Sequence, residues 1–191
     1  MEFVKTDLPE VIICKPKIIN DERGYFFESF KKNSFENFIG YSVNFCQENE
    51  AKSNKNVLRG LHYQLPPFAQ SKLVRVIKGK VLDVVVDVRK NSKNFGKYVA
   101  IELSDQNKYQ LFVPKGFAHG YKVLSDNTIF TYKVDNYYHK KSERGIIYND
   151  VDLQIDWKLS KDNNLIISEK DLKQPTFKNA ELFEPNFMLN D

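Results

Sequence analysis

Runs of alternating apolar and polar residues fill the middle of the chain, and Gly, Pro, Asn or Asp residues separate them. Such alternation is the pattern of a β-strand with one buried face. The two helix signals, a turn at 35–39 capped by Ser34 and another capped by Ser168, are too short to organise a core. The predicted strands are two within 72–88, joined at Lys78-Gly79, and one each at 98–103, 109–113, 119–124 and 129–134.

The second strand of 72–88 reads KVLDVVVDV. Leu82, Val84 and Val86 share one face, and Asp83 and Asp87 lie on the other, which predicts a half-buried antiparallel strand. The regular spacing of the strands favours an all-β jelly-roll sandwich with short peripheral helices. Because no linker or repeat divides the chain, we expect one domain over 1–191.

Polar residues inside strand patterns mark the candidate site. The run VLRGLHYQ places Arg59, Gly60 and His62 within four residues, a mixture that a core strand rarely tolerates. Strict alternation would put Arg59 and His62 on opposite faces. Gly60 therefore predicts a β-bulge that brings both side chains into one cavity.

Three more residues stand out, each with an ordinary alternative. Lys72 shares a face with Val74 and Val76, so its ammonium is either buried on the inner face or solvated on the outer one. Taken alone, His119, in the turn PKGFAHG, fits a hydrogen-bonded packing residue, and Tyr132 fits a strand aromatic.

Composition narrows the class of protein. The net charge of +4 is small and the lysines are scattered along the chain, so no nucleic-acid partner is expected. Cys14 and Cys46 lack C-x-x-C spacing and fit free thiols in a cytoplasmic protein. The N-terminal segment has acidic residues and no long apolar run, so neither a signal peptide nor a membrane partner is expected.

Several motifs in a fixed order resemble the dTDP-4-dehydrorhamnose 3,5-epimerase family, whose fold is a cupin-type jelly roll. The resemblance runs from about Pro9 to Pro175 and implies an enzyme without a cofactor. The implied reaction inverts C3 and C5 of dTDP-4-dehydro-6-deoxy-D-glucose through enolate intermediates, which gives dTDP-4-dehydro-L-rhamnose. The motifs are ERGYFFESF, VLRGLHYQLPPFAQSKLVRVIKGKV, DVRKNSKNFG, LFVPKGFAHGY, YKVDNYY, ERGI with YNDVDLQIDW, and ISEKD.

The resemblance implies a catalytic role for four residues. A hydrogen beside a ketone is acidic because its removal gives an enolate, so an epimerase needs a base, an acid on the opposite face and a group that stabilises the oxyanion. By resemblance, His62 is the base and Asp171 its carboxylate partner. Tyr132 is then the acid, and Lys72 holds the enolate oxygen.

The resemblance also implies substrate contacts and a homodimer. Arg23 and Phe26 match an N-terminal arm that crosses to the neighbouring subunit and completes its site. Tyr138 matches an aromatic residue that stacks on thymine. The other implied contacts are Arg59 and His119 near the sugar and pyrophosphate, Glu143 and Lys170 at further substrate-contacting positions, and Glu28, Gln47, Glu48 and Asn49 at the nucleotide.

A metal is not expected. Many cupins bind a metal through an H-x-H pair, a Glu and a further His, but here the segment reads His62-Tyr63-Gln64 and lacks the second ligand. A three-ligand site built from His62, His119 and His139 is the alternative.

Three departures from the family pattern leave the extent of inversion open. Tyr148 replaces a frequent Trp, Val151 a usual Pro, and Lys158 a Pro that often follows Trp157. One alternative is a 3-epimerase, or an epimerase of another 4-keto nucleotide sugar. A 3,4-ketoisomerase is disfavoured by Tyr132, and a non-catalytic sugar-binding cupin would bind its ligand without exchanging ring hydrogens.

Overall fold

The structure is a computed structural model that describes residues 1–159 and 164–185. Short strands dominate these ranges, and no helix in them is long and apolar enough to cross a membrane. The strands are β1 (Glu2–Lys5), β2 (Ile12–Lys15), β3 (Ile19–Asp21), β4 (Gly24–Phe26), β5 (Gln47–Ser53), β6 (Val57–Gln64), β7 (Lys72–Lys78), β8 (Lys80–Asp87), β9 (Tyr98–Ser104), β10 (Gln110–Val113), β11 (Phe117–Val123), β12 (Thr128–Val134), β13 (Glu143–Gly145) and β14 (Ile166–Ile167). The helices are α1 (Lys32–Ile39), α2 (Glu169–Leu172) and a 3-10 helix at Phe177–Asn179.

Two sheets form the body of the protein. Sheet I has the strand order β1-β2-β10-β7-β12-β5, and sheet II has the order β13-β6-β11-β8-β9, with β14 against β6. The hairpin β3–β4 belongs to neither sheet. Many strands that pair are distant in sequence, as in a jelly roll. The predicted all-β sandwich is confirmed, and each predicted strand is present with its ends shifted by two residues or fewer.

The apolar core between the sheets shows which strand faces point inward. Val74 and Val76 of sheet I lie in one buried cluster with Val81 and Val85 of sheet II. Because side chains alternate along a strand, Lys72 shares the inner face of β7 with these valines. The alternative of a solvated Lys72 on the outer face is therefore wrong.

The prediction that β8 is half-buried is also wrong, because both of its faces are covered. On the outer face of sheet II, Val84 and Val86 pack with Trp157 and Phe183 from the C-terminal part of the chain. On the inner face, Asp83 is 0% exposed. The alternation within β8 carries no information about a covering segment that lies so far along the chain.

The two α-helices differ in how they begin. The N-cap of α1 is Lys31, without a side-chain capping bond, so Ser34 lies inside the helix and the predicted cap is wrong. Packing of the buried Phe35 in an aromatic cluster stabilises this helix instead. Ser168 is confirmed as the cap of α2, since its Oγ accepts a hydrogen bond of 3.2 Å from the backbone N–H of Asp171.

Strand β6 contains the predicted β-bulge. Its ladder with β11 shifts register so that Gly60 and Leu61 together oppose the single residue Gly120. Arg59 and His62, on either side of the bulge, therefore point to the same face and line one cavity. The prediction made from Gly60 is confirmed.

Glycine is required at the bulge for two separate reasons. Gly60 has a φ of +113°, and an added Cβ would lie 2.6 Å from the Cα of Gly120. Gly40 is a matched control, because its φ is +86° but an added Cβ would meet nothing within 4 Å. We expect Gly60→Ala to lower the free energy of unfolding by more than about 2 kcal/mol and Gly40→Ala by only about 1 kcal/mol. Urea denaturation measures both losses. Equal losses of unfolding free energy in the two variants would contradict the view that close approach of Gly60 to the backbone of Gly120 makes Gly60→Ala more costly.

Candidate active site

A cavity of about 550 Å³ opens between the two sheets, a size typical of small-molecule sites. Charged and polar side chains line it from both sheets, whereas the buried cluster around Val74, Val76 and Val85 is apolar. Its polar lining consists of Arg59, His62, His119 and Tyr121 from sheet II, Lys72 and Tyr132 from sheet I, and Ser168, Lys170 and Asp171 at α2.

A smaller cavity of about 160 Å³ adjoins the first. The two share His62, Lys72 and Tyr132, so these three residues lie at their junction. The smaller cavity has many hydrogen-bonding groups, which suit a polar ligand. Its other lining residues are Gln47, Asn49, Tyr63, Gln64, Gln70, Tyr138 and Glu143.

His62 and Asp171 form a dyad on the sheet II side of the larger cavity. Nε2 of His62 lies 2.6 Å from Oδ1 of Asp171, and the backbone N–H of Gly60 donates to Oδ2 at 3.4 Å. Burial favours a raised pKa for Asp171, but these hydrogen bonds and the nearby charge of His62 outweigh it and lower the pKa. An ionised carboxylate only accepts, so Nε2 of His62 carries the hydrogen and Nδ1 is the basic nitrogen.

Tyr132 and Lys72 lie on the opposite wall, on sheet I. Burial raises the pKa of Tyr132, while Arg59 and Asn49 act in the other direction, so at neutral pH the phenol keeps its proton. Burial lowers the pKa of Lys72 to about 8, against the opposing charges of Asp83 and Glu143. The ammonium form therefore persists at neutral pH, but with a smaller margin than an exposed lysine has.

Arg59 presents a guanidinium to the larger cavity. Its Nε and Nη2 lie 3.3 and 3.2 Å from the Oγ of Ser53. In the described part of the chain, no carboxylate lies within ion-pair distance of this group. A cation held by a hydroxyl keeps its charge available for an anionic ligand such as a phosphate.

Glu143 connects the smaller cavity to α2. Its Oε1 lies 2.5 Å from Nζ of Lys170, and its Oε2 accepts a 2.9 Å hydrogen bond from the hydroxyl of Tyr138. Burial favours a raised pKa for Glu143, but the bonds from Lys170 and Tyr138 outweigh it, so the pKa is lowered and the carboxylate is ionised. The three side chains hold one another at the rim of the site.

His119 has a carboxylate partner of its own. Its Nε2 lies 2.9 and 3.0 Å from the two carboxylate oxygens of Asp83, and the pair is almost completely buried. Burial raises the pKa of Asp83, while His119 and Lys72 act against this rise. His119 is therefore hydrogen-bonded, as expected, but it also lines the cavity.

The three histidines do not come together. His139 stacks on Phe68 with a centroid distance of 3.8 Å and lies 2.9 Å from the hydroxyl of Ser142, whereas His62 and His119 each face an aspartate. Among residues 1–159 and 164–185, no three His, Cys, Asp or Glu side chains cluster closely enough to hold a metal ion. The three-histidine alternative is thus not supported by this geometry.

Comparison with known proteins gives the family. The family model described as dTDP-4-dehydrorhamnose 3,5-epimerase matches residues 5–179. The chain belongs to the dTDP-4-dehydrorhamnose 3,5-epimerase family. The family member from Shigella flexneri is 50% identical over 183 residues, which cover 96% of this chain and 99% of that protein.

Two crystal structures from the family have the same fold. That of the Elizabethkingia anophelis dTDP-4-dehydrorhamnose 3,5-epimerase is 49% identical, with a TM-score of 0.89, and the match covers 93% of this chain and 97% of that one. A Legionella pneumophila dTDP-6-deoxy-D-glucose-3,5-epimerase, solved in complex with dTDP-4-keto-L-rhamnose, is 43% identical, with a TM-score of 0.91, and the match covers 96% and 97%. The cupin-type fold is therefore established by structures as well as by sequence.

Eleven of the fifteen residues implied by the family resemblance line the two cavities. Arg23, Phe26 and Glu28 do not, because they lie on or just after the exposed hairpin β3–β4. The side chain of Glu48 points away from the cavities and forms an exposed ion pair with Lys133 at 2.7 Å. A nucleotide contact by the Glu48 side chain within one subunit is therefore not supported.

The sequence reasoning missed Asp83 and Ser53 as residues of the site. A signal for Asp83 was present, because VLDVVVDV is apolar on both faces apart from its aspartates. A strand of that kind is buried on both sides, so its aspartates need buried partners. Ser53 carried no such signal, since a serine at the end of a polar strand fits many surfaces.

Proposed function

We propose that this chain inverts C3 and C5 of dTDP-4-dehydro-6-deoxy-D-glucose to give dTDP-4-dehydro-L-rhamnose. The observation that carries the proposal is the arrangement of proton-transfer groups on opposite walls of one cavity. His62 and Asp171 lie on the sheet II side, and Tyr132 and Lys72 lie on sheet I. A sugar ring held between these walls meets a base on one face and an acid on the other.

Each inversion then follows from the chemistry of the four side chains. Nδ1 of His62 removes the hydrogen beside the C4 ketone, and the electron pair of the broken C–H bond moves to the ketone oxygen. The ammonium of Lys72 stabilises that enolate oxygen, and Asp171 stabilises the imidazolium of His62. The phenol of Tyr132 returns a proton to the opposite face of the same carbon, which restores the ketone with inverted configuration.

The remaining cavity residues suit the nucleotide. Arg59, which forms no ion pair with a carboxylate of residues 1–159 or 164–185, fits the pyrophosphate together with His119. In the smaller cavity, Gln47 and Asn49 supply hydrogen bonds to the base, and Tyr138 supplies a flat ring for stacking. Lys170 and Glu143 hold the sugar side of the site.

Deuterium exchange tests the reaction directly. The protein is incubated with dTDP-4-dehydro-6-deoxy-D-glucose in heavy water, and NMR follows deuterium at C3 and C5 together with the configuration of the product. We expect exchange at both carbons and the L-rhamno product. Exchange and inversion confined to C3 would identify a 3-epimerase, and binding without any exchange would identify a non-catalytic cupin.

The lowered pKa of Lys72 predicts how the rate of this reaction depends on pH. Since its pKa is lowered to about 8, the ammonium is present below that pH and is lost above it. We expect kcat/KM to fall as the pH rises through about 8, because a neutral amine stabilises an enolate poorly. In Lys72→Arg the guanidinium does not titrate near pH 8, so this fall of kcat/KM should disappear. The overall rate of this variant should be lower than that of the wild type. A wild-type profile that stays level well above pH 8 would contradict the role of Lys72.

The exposed hairpin β3–β4 supports a homodimer with exchanged arms. Phe26 is 70% exposed and Ile19 and Tyr25 are more than half exposed, so the hairpin presents apolar surface that the described part of its own subunit does not cover. The side chain of Arg23 is 85% exposed. We infer that a second subunit covers this hairpin and that Arg23 and Phe26 complete the cavity of that subunit.

Mixed dimers test the exchange of arms. One subunit carries Arg23→Gln and the other carries His62→Asn, with different affinity tags for purification of the heterodimer. If arms are exchanged, the subunit with the intact cavity receives the intact arm, and the heterodimer should regain about half of the wild-type activity. If each arm serves its own subunit, both sites are defective and activity should stay at the level of the two variant homodimers.

The cysteines support a cytoplasmic location. Cys14 and Cys46 form no disulfide, and burial raises the pKa of the Cys14 thiol to about 12. Free thiols of this kind suit a reducing compartment.

A further inference from the structure

Asp83 is a buried carboxylate that the proposed mechanism leaves unused. It lies on the inner face of β8, two residues from Val81 on one side and from Val85 on the other, and it is 0% exposed. An ionised carboxylate in such surroundings is costly unless it is paired and hydrogen-bonded. Both of its carboxylate oxygens face one atom, Nε2 of His119, at 2.9 and 3.0 Å.

We propose that Asp83 is a positioning residue that fixes the hydrogen of His119 on Nε2, so that Nδ1 meets the substrate, and that keeps the Lys72 ammonium charged. This inference rests on the proposed function and deepens it. Asp83 lines neither cavity, so it acts through His119, which it contacts, and through the effect of its charge on Lys72.

The ladder between β6 and β11 shows why the orientation of His119 matters. His119 and His62 are directly paired residues of neighbouring strands, so their rings project side by side from sheet II. Asp171 binds Nε2 of His62, and Asp83 binds Nε2 of His119. Each aspartate therefore leaves Nδ1 as the ring nitrogen available to a ligand.

The charges around Asp83 explain its second effect. Asp83 contacts His119 of β11, and His119 lines the larger cavity together with Tyr121 of β11 and Lys72, which lies on the inner face of β7. The negative charge of Asp83 acts on both Lys72 and Tyr121. Glu143 on β13 is the other carboxylate that acts on Lys72, and Arg59 on β6 acts on Tyr121. Asp83 and Glu143 together oppose the loss of the Lys72 proton, so removal of either negative charge makes that proton easier to lose.

The test is Asp83→Asn, which keeps the shape of the side chain and removes its charge. We expect kcat to fall about tenfold or more, because an amide no longer fixes the ring of His119 in one tautomer. We also expect the fall of kcat/KM at alkaline pH to begin about one pH unit lower than in the wild type, because Lys72 loses a neighbouring negative charge.

Asp87→Asn is the matched control. Asp87 is a fully buried aspartate on the same face of the same strand, but it pairs with Arg89 at 2.6 Å, and neither residue lines the two cavities. This variant should lose thermal stability, but its kcat/KM should fall at the same alkaline pH as that of the wild type. The proposal would be overturned by a folded Asp83→Asn protein whose kcat/KM falls at the same alkaline pH as that of the wild type.

The tautomer of His119 can be measured without any variant, which keeps the proposal testable if Asp83→Asn does not fold. Long-range ¹H–¹⁵N NMR of the wild-type protein should show a hydrogen on Nε2 of His119. A tautomer with its hydrogen only on Nδ1 would overturn the proposal. This result is independent of turnover, so absence of exchange at C3 and C5 by the wild type would refute the proposed function separately.

Discussion

His62→Asn is expected to lower kcat by about a hundred- to ten-thousandfold, the usual contribution of a general base. Asparagine is smaller than histidine, and its amide cannot accept the proton from C3 or C5. Deuterium should therefore enter neither carbon at an appreciable rate. NMR of the substrate in heavy water measures exchange and turnover in one experiment.

His139→Asn is the matched control for His62. His139 stacks on Phe68 and faces Ser142, outside the two cavities. Its replacement should leave kcat within a few-fold of the wild type. Rapid exchange at C3 and C5 by His62→Asn would remove His62 from the role of base, whatever the effect on binding.

Tyr132→Phe is expected to separate exchange from inversion. The base dyad on sheet II is unchanged, so His62 can still remove a hydrogen and return a deuteron to the same face. Without the phenol, delivery to the opposite face should slow by about a hundred- to ten-thousandfold. We therefore expect deuterium in recovered substrate of unchanged configuration, with little L-rhamno product, as judged by NMR coupling patterns.

Tyr137→Phe controls for the loss of a tyrosine hydroxyl near the site. Tyr137 is 64% exposed and lines neither cavity. Its variant should form the inverted product at the wild-type rate. Normal inversion by Tyr132→Phe would mean that another group on sheet I, or a water molecule, supplies the second proton.

Local signals in the sequence predicted the parts of the site that depend on local geometry. Gly60 predicted the bulge because Arg59 and His62 are three positions apart, and a strand that turns both to one face needs an extra residue between them. Ser168 predicted the start of α2, since a capping bond involves only a few residues. Those two features place His62 and Asp171 together.

Features that depend on distant segments were not predictable in this way. Trp157 and Phe183 cover the face of β8 that carries Val84 and Val86, so the opposite face, with Asp83, points into the sandwich and pairs with His119. The pairing of β5 with β12 decided that Glu48 faces away from the cavities. Strand pattern gave no way to choose Tyr132 among ten tyrosines, so its role came from family resemblance alone.

The proposed base, His62, and the proposed acid, Tyr132, lie on separate sheets, and this separation has a consequence for the catalytic cycle. In the proposed mechanism, each inversion leaves the protein with an extra proton on His62 and one missing from Tyr132, and a second inversion cannot begin from that state. The proton must be passed on through solvent, and the side chain of His62, 27% exposed, has the access that this step requires, whereas Asp171, 5% exposed, does not. Under this mechanism every doubly inverted product molecule requires two such resets, and both of its new hydrogens originate from water and not from the substrate.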